Sequence, residues 1–83
     1  MNICGVLVHA DPRRIDSVLE ALTKIEGLEV HRIADAGRIV VTVEDTENVR
    51  ALDALTAIHK TDGVVAAALT YHQFEPGADG TTL

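Results

Sequence analysis

The 83-residue sequence has one cysteine, no tryptophan and only two aromatic side chains, Tyr71 and Phe74. A single cysteine excludes an intramolecular disulfide and any Cys-x-x-Cys metal or redox site. Because Cys4 lies in an apolar stretch, we expect a buried, unreactive thiol. With so few aromatic residues, the core must be built from Val, Leu, Ile and Ala. A chain of this length has room for one domain and little room for an enclosed active site.

Basic residues are also scarce, since seven Lys and Arg stand against thirteen Asp and Glu, a formal net charge of −6. Binding of nucleic acid rests on clustered Lys and Arg, and Arg13–Arg14 is the only adjacent basic pair here. The composition therefore argues against nucleic acid as the partner. An acidic chain instead favours basic partners, chiefly by accelerating association with them.

Long hydrophobic runs are absent, and no stretch approaches the ~20 apolar residues that span a bilayer. The first residues, Met1 to Gly5, lack the basic region and the long apolar segment of a signal peptide. We therefore expect no membrane insertion and a cytoplasmic location.

What the sequence does contain is a regular alternation of strand and helix patterns. Asp11 followed by Pro12 is typical of a helix start, and Asp45 or Thr46 is the expected cap of a second helix. Apolar residues then recur at helical spacing up to Gly27 and Gly63, which are well placed to end the two helices. The segments with strand character are Ile3–Ala10, Leu28–Ala34, Arg38–Glu44 and Val64–His72.

The order is βαββαβ, and its two halves are similar in sequence. Three residue pairs share a separation of 36 positions: Leu19 and Leu55, Lys24 and Lys60, Gly27 and Gly63. Two interleaved β-α-β units predict an α+β, ferredoxin-like fold, with a four-stranded antiparallel sheet in the order 4-1-3-2. Right-handed crossovers put both helices on one face of this sheet. We expect one domain over residues 1–75 and a disordered tail over 76–83.

The uncovered face of the sheet, called the open face below, is the candidate binding surface. Strand alternation puts Val65, Leu69 and Tyr71 on the helix side, although a one-residue shift would exchange the two faces. The candidate peptide-binding residues on the open face are Gly5, Leu7, His9, Val40, Thr42, Ala66, Ala68, Thr70 and His72. Such an apolar floor marks an interaction site and suits a helix or an extended peptide. Homodimerisation through the same face is the alternative.

Catalytic and metal sites find little support in the sequence. His9 and His72 could approach each other on adjacent strands, but no third ligand accompanies them at a recognisable spacing. Arg13 and Arg14 could hold an anion at a helix start, as in acylphosphatases, but the loop lacks the expected glycines. We therefore expect no enzyme activity, no metal and no cofactor.

Several segments resemble the NapD family. The fourth strand opens with Gly63-Val64 and continues from Ala68 to Glu75 as ALTYHQFE, similar to the closing strand of that family. Cys4 leading into Val6-Leu7-Val8 and the stretch from Ile39 to Glu44 are also similar. The resemblance extends from Ile3 to Glu75.

This resemblance implies a cytoplasmic chaperone and a specific partner. The partner would be the twin-arginine signal peptide of the catalytic subunit of the periplasmic nitrate reductase. Binding would prevent premature export while that subunit receives its cofactor. The open face would take the apolar part of the peptide, and carboxylates such as Glu29, Glu44 and Glu75 would favour its arginines. The chaperone is expected to be a monomer.

The main alternative is a regulatory, small-molecule-binding module of the ACT kind, which shares the βαββαβ order. Its ligand would lie between paired domains near a strand-to-helix loop, often with a glycine. The corresponding loop here, His9 to Arg13, contains no glycine.

Overall fold

Residues 2–74 are described by the computed structural model; Glu75 and the predicted tail lie outside the described residues. The strands are β1 (Asn2–Ala10), β2 (Leu28–Ala34), β3 (Arg38–Glu44) and β4 (Val64–Phe74). The helices are α1 (Ile15–Thr23) and α2 (Ala51–His59). Short 3₁₀ turns at Pro12–Arg14 and Asp35–Gly37 lead into α1 and connect β2 to β3.

The four strands form one antiparallel sheet in the order β2-β3-β1-β4. This confirms the predicted α+β fold and its strand order. Both helices contribute to a single core that lies on one face of the sheet. The core consists of Cys4, Val6, Val8 and Ala10 of β1, Val18 and Leu22 of α1, Ile39, Val41 and Val43 of β3, and Ala51, Ala54 and Ile58 of α2.

The start of the first helical segment follows the predicted capping pattern. The Asp11 side chain accepts a hydrogen bond from the backbone N–H of Arg13 at 3.0 Å, and Pro12 begins the 3₁₀ turn. Val18 and Leu22 are then buried at helical spacing. At the far end Gly27 has a φ of 86°, a conformation that few other residues tolerate. Its predicted role in ending the helical segment is consistent with this backbone geometry.

The second helix begins at Ala51, four or five residues later than capping by Thr46 or Asp45 predicts. Thr46 instead closes a turn, because its hydroxyl accepts hydrogen bonds from the N–H groups of Asn48 and Val49. Asp45 reaches further, and its carboxylate accepts a 2.8 Å hydrogen bond from the Ala51 N–H. The loop over residues 45–50 is therefore held by the two side chains that the sequence offers as caps.

Asp45 also ties β1 to the start of α2. Its second oxygen accepts hydrogen bonds from the backbone N–H of Asn2 at 3.0 Å and from the Asn2 amide at 3.1 Å. These interactions, first with Ala51 and then with Asn2, lower the pKa of Asp45 below its usual 3.8. Burial raises the pKa of the nearby Cys4 thiol, and the charge of Asp45 raises it further.

Val41→Ala tests the one-sided core. Val41 is fully buried, whereas its neighbour Val40 is 38% exposed on the open face. Val41→Ala should lower the free energy of unfolding by about 1–3 kcal/mol, and the matched control Val40→Ala by about 0.5 kcal/mol or less. Because the chain has no tryptophan, urea denaturation is followed by far-UV circular dichroism. Equal losses from the two variants would contradict the assignment of faces.

Asp45→Asn tests the link between β1 and α2. Because the folded state lowers the pKa of Asp45, the ionised carboxylate stabilises the fold above pH 3.8, and this contribution is lost as the pH falls through the lowered pKa. Asp45→Asn should therefore be less stable than wild type at pH 7, with the difference shrinking in acid. Glu47→Gln, which removes a charge from the same loop, is the control. If the stability difference between Asp45→Asn and wild type were the same at pH 2 as at pH 7, this explanation would be wrong.

Candidate functional site: the open sheet face

The pairing of the strands defines which side chains share the open face. In its middle row, Leu7 of β1 lies opposite Val40 of β3 and Ala68 of β4. Val40 in turn lies opposite Arg32 of the edge strand β2. Directly opposed residues of antiparallel strands point to the same face, so these four side chains form one continuous row. Its centre is apolar, and Val40 and Ala68 are exposed.

A bulge in β4 re-aims the end of that strand. Leu69 pairs with Val6, but the next residue of β1, Gly5, pairs with Tyr71, so Thr70 is the extra residue. A single inserted residue reverses the alternation beyond it. Tyr71 therefore lies on the open face, and His72, opposite the buried Cys4, lies on the helix side. The predictions that Tyr71 faces inward and His72 outward are both wrong for this reason.

The Tyr71 ring covers Gly5. A Cβ atom at Gly5 would overlap the ring atoms Cε1 and Cδ1 of Tyr71 and come within 2.8 Å of the Thr70 hydroxyl. Gly5 is consequently buried although it faces the open side, while Tyr71 is 48% exposed. The surface available to a partner at this position is therefore the tyrosine ring.

A second bulge changes the start of β4. Ala10 pairs with Val64 and His9 with Ala66, which leaves Val65 as the extra residue. Val65, predicted to face inward, is 74% exposed, and Val64 packs against the core instead. Leu69 is on the predicted side, opposite Val6, but it is half exposed because β4 is the edge of the sheet.

The two histidines considered as a metal pair are far apart. His9 lies opposite Ala66, near one end of β4, and His72 lies opposite Cys4, near the other end and on the other face. His72 Nε2 is 3.0 Å from the Asn2 side-chain oxygen. Across residues 2–74, no three His, Cys, Asp or Glu side chains are arranged to hold a metal ion.

A third bulge brings His31 to the open face. Val30 pairs with Val41 and Arg32 with Val40, so His31 is the extra residue of β2. Its Nε2 is 2.7 Å from the hydroxyl of Thr42, which lies on the open face beside Leu7 and Val40. Glu29 pairs with the same Thr42 and is exposed. Glu44 is exposed at the end of β3, whereas Glu75 lies outside the described residues.

Of the nine predicted site residues, seven keep their predicted place on the open face: Leu7, His9, Val40, Thr42, Ala66, Ala68 and Thr70. Gly5 has the predicted orientation but is covered, and His72 is on the other face. Sequence reasoning missed Tyr71. Gly5 was the sequence feature that could have indicated the position of Tyr71, because a glycine inside a strand often marks a bulge or a close approach of another group.

These features define a small α+β domain whose exposed, partly apolar sheet face is suited to binding another chain. No concave pocket opens on the part of the chain that the structure describes, and none of the helices within it is long and apolar enough to cross a membrane. The model of the NapD protein family matches residues 1–76. The chain therefore belongs to the NapD family, which is a family of chaperones and not of enzymes.

Individual relatives agree with this assignment. The chain is 30% identical to the chaperone NapD of Escherichia coli K12, over 96% of this chain and 93% of the relative. It is 25% identical to the chaperone NapD of Haemophilus influenzae, over 87% and 78% of the two chains. The solution structure of the E. coli Tat proofreading chaperone protein NapD superposes with a TM-score of 0.75 at 27% identity, covering 98% of this chain and 86% of that one.

Gly5→Ala tests the contact between Gly5 and Tyr71. In the wild-type background the new methyl group must displace the ring, so we expect a loss of stability. In a Tyr71→Ala background the same change should cost less, because only the close approach to the Thr70 hydroxyl remains. Urea denaturation of the four proteins gives the coupling energy. Additive effects would contradict the close contact.

Proposed function

We propose that this chain is a cytoplasmic chaperone for the twin-arginine signal peptide of the catalytic subunit of a periplasmic nitrate reductase. By covering that peptide it delays export until the subunit has received its cofactor. The observation that carries the proposal is the exposed apolar centre of the open face, in a chain that belongs to a chaperone family. Contiguous exposed apolar surface is typical of interaction sites.

The chemistry of the open face suits a signal peptide, which joins a basic twin-arginine region to an apolar stretch. Leu7, Val40 and Ala68 provide a low apolar floor over which the side of a helix or an extended segment can lie. The ring of Tyr71 extends this floor along β4 and, because it is half exposed, offers a flat surface for apolar or guanidinium groups.

Electrostatics favour the same kind of partner. The chain carries a net charge of −6, and Glu29 and Glu44 are exposed on strands of the open face. An acidic surface accelerates the encounter with a basic peptide, while each exposed ion pair adds little to the final affinity. We further propose that the chaperone acts as a monomer with one peptide per chain.

Isothermal titration calorimetry with a synthetic signal peptide of the organism's own nitrate reductase tests the proposal. We expect saturable binding with a stoichiometry of one, and no binding of an unrelated signal peptide. Absence of heat and of competition at high micromolar peptide would overturn the proposal. A stoichiometry of one peptide per two chains would contradict the monomer.

Leu7→Glu tests the location of the site. A carboxylate in the middle of the apolar floor should weaken peptide binding at least 30-fold, about 2 kcal/mol, because the complex would bury an unpaired charge. Ala68→Glu on the neighbouring strand should behave in the same way.

The matched control is Leu52→Glu, because Leu52 is 61% exposed on α2, away from the open face. It introduces the same charge by the same substitution and should leave the affinity unchanged. Circular dichroism spectra confirm that each variant is folded. Wild-type affinity in both open-face variants would exclude this face as the site.

A further inference from the structure

Charged residues of opposite sign occupy different positions along the strands of the open face. Toward the end where β1 begins, Glu44 lies opposite Ile3, and Glu29 lies opposite Thr42. Near the end where β1 finishes, the cation Arg38 lies opposite His9. A second cation, Arg32, lies opposite Val40 in the middle row. All four charged residues are exposed. Two carboxylates therefore stand toward one end of the apolar floor, the Arg38 guanidinium stands at the other end, and Arg32 lies beside the middle row.

At the end of the molecule near Arg38, hydrogen bonds and ion pairs hold the basic side chains in place. Arg38 Nε donates a 3.1 Å hydrogen bond to the backbone carbonyl of Asp35, which anchors its guanidinium at the β2–β3 turn. Arg13 and Arg14 precede α1 at this end of the molecule and are paired with Asp11 and Asp62 at 3.2 and 2.6 Å. Arg32 and Arg38 are therefore the basic residues that an incoming peptide meets on the open face itself.

The separation of the two ends sets the length of a peptide segment that can reach both of them. Arg38 and Glu44 are six residues apart on β3, about 20 Å at the usual rise of a strand. A helix of roughly 13 residues or an extended segment of about six residues covers that length. A bound segment lying along the strands would therefore meet both ends of the face.

We propose that this polarity sets the direction of the bound signal peptide. The twin arginines lie at the end of Glu29 and Glu44, the apolar stretch lies over Leu7 and Val40, and the peptide continues toward His9 and Arg38. The reverse direction puts the peptide arginines at the end of the face that carries Arg38, and opposed like charges disfavour that arrangement. This inference rests on the proposed function and adds a direction to it.

Paramagnetic labels on the peptide test the direction. A nitroxide is attached to a cysteine just before the arginine pair in one peptide and after the apolar stretch in another, and each is bound to the isotopically labelled full chain. The first label should broaden the amide signals of Ile3 and Glu44, and the second those of His9 and Arg38. The opposite pattern, or equal broadening of both ends by either label, would overturn the inference while leaving the proposed function intact.

A charge exchange tests whether these four residues are the cause. The variant Glu29→Arg, Glu44→Arg, Arg32→Glu, Arg38→Glu keeps the net charge at −6, because two charges of each sign are exchanged. We expect the two broadening patterns to exchange ends. For Glu29→Gln with Glu44→Gln alone, we expect roughly 2- to 30-fold weaker binding, the sum of two exposed ion pairs.

The outcomes separate the two proposals. If the exchanged variant keeps the wild-type affinity and pattern, the charges do not determine direction, and the inference is wrong although binding is real. If the wild-type chain shows no calorimetric binding of either peptide, the proposed function fails and the inference fails with it. Leu52→Glu, which adds a charge on α2 and leaves the open face unchanged, is the control and should keep the wild-type pattern.

Discussion

The packing of both helices against one face of the sheet is the constraint on which the rest of this structure depends. Val6 and Val8 of β1 and Val41 of β3 are fully buried beneath α1 and α2. Their burial removes one face of the central strands from water, and the core of this short chain forms on that face. The residues between them must then point the other way, where no helix covers them. The same alternation that builds the core therefore creates the open face.

Within this frame the edge strand β4 is where the regular pattern changes. It pairs with β1 alone, so it can accept extra residues at Val65 and Thr70 without disturbing a second neighbour. Each bulge changes which side chains reach the open face. The one at Thr70 brings the only tyrosine of the chain over Gly5, whose lack of a side chain makes room for the ring. Gly5 and Tyr71 thus act as one structural unit across two strands.

The form of the open face is consistent with a chaperone that binds and later releases a peptide. Its apolar centre is shallow and its charges are exposed, so the charged residues contribute more to encounter and direction than to the strength of binding. An enclosed pocket would instead favour a small molecule, as in the ACT alternative. Membership of the NapD family, which sequence similarity shows, agrees with the surface that the strand register creates.

The sequence by itself determined the number, type and order of the elements, the strand order, and the inward valines of β1 and β3. These features follow from local periodicity and from glycines at helix ends. Both signals are contained within the residues of a single strand or helix. The tertiary structure decided where α2 starts and how charge is distributed over the open face. It also decided the positions of Val65, Tyr71 and His72. A bulge is defined only relative to a partner strand. The Asp45 carboxylate can accept its hydrogen bond from Asn2 only after β1 and β3 have paired. Such properties belong to pairs of distant segments, so no local pattern in either segment could record them.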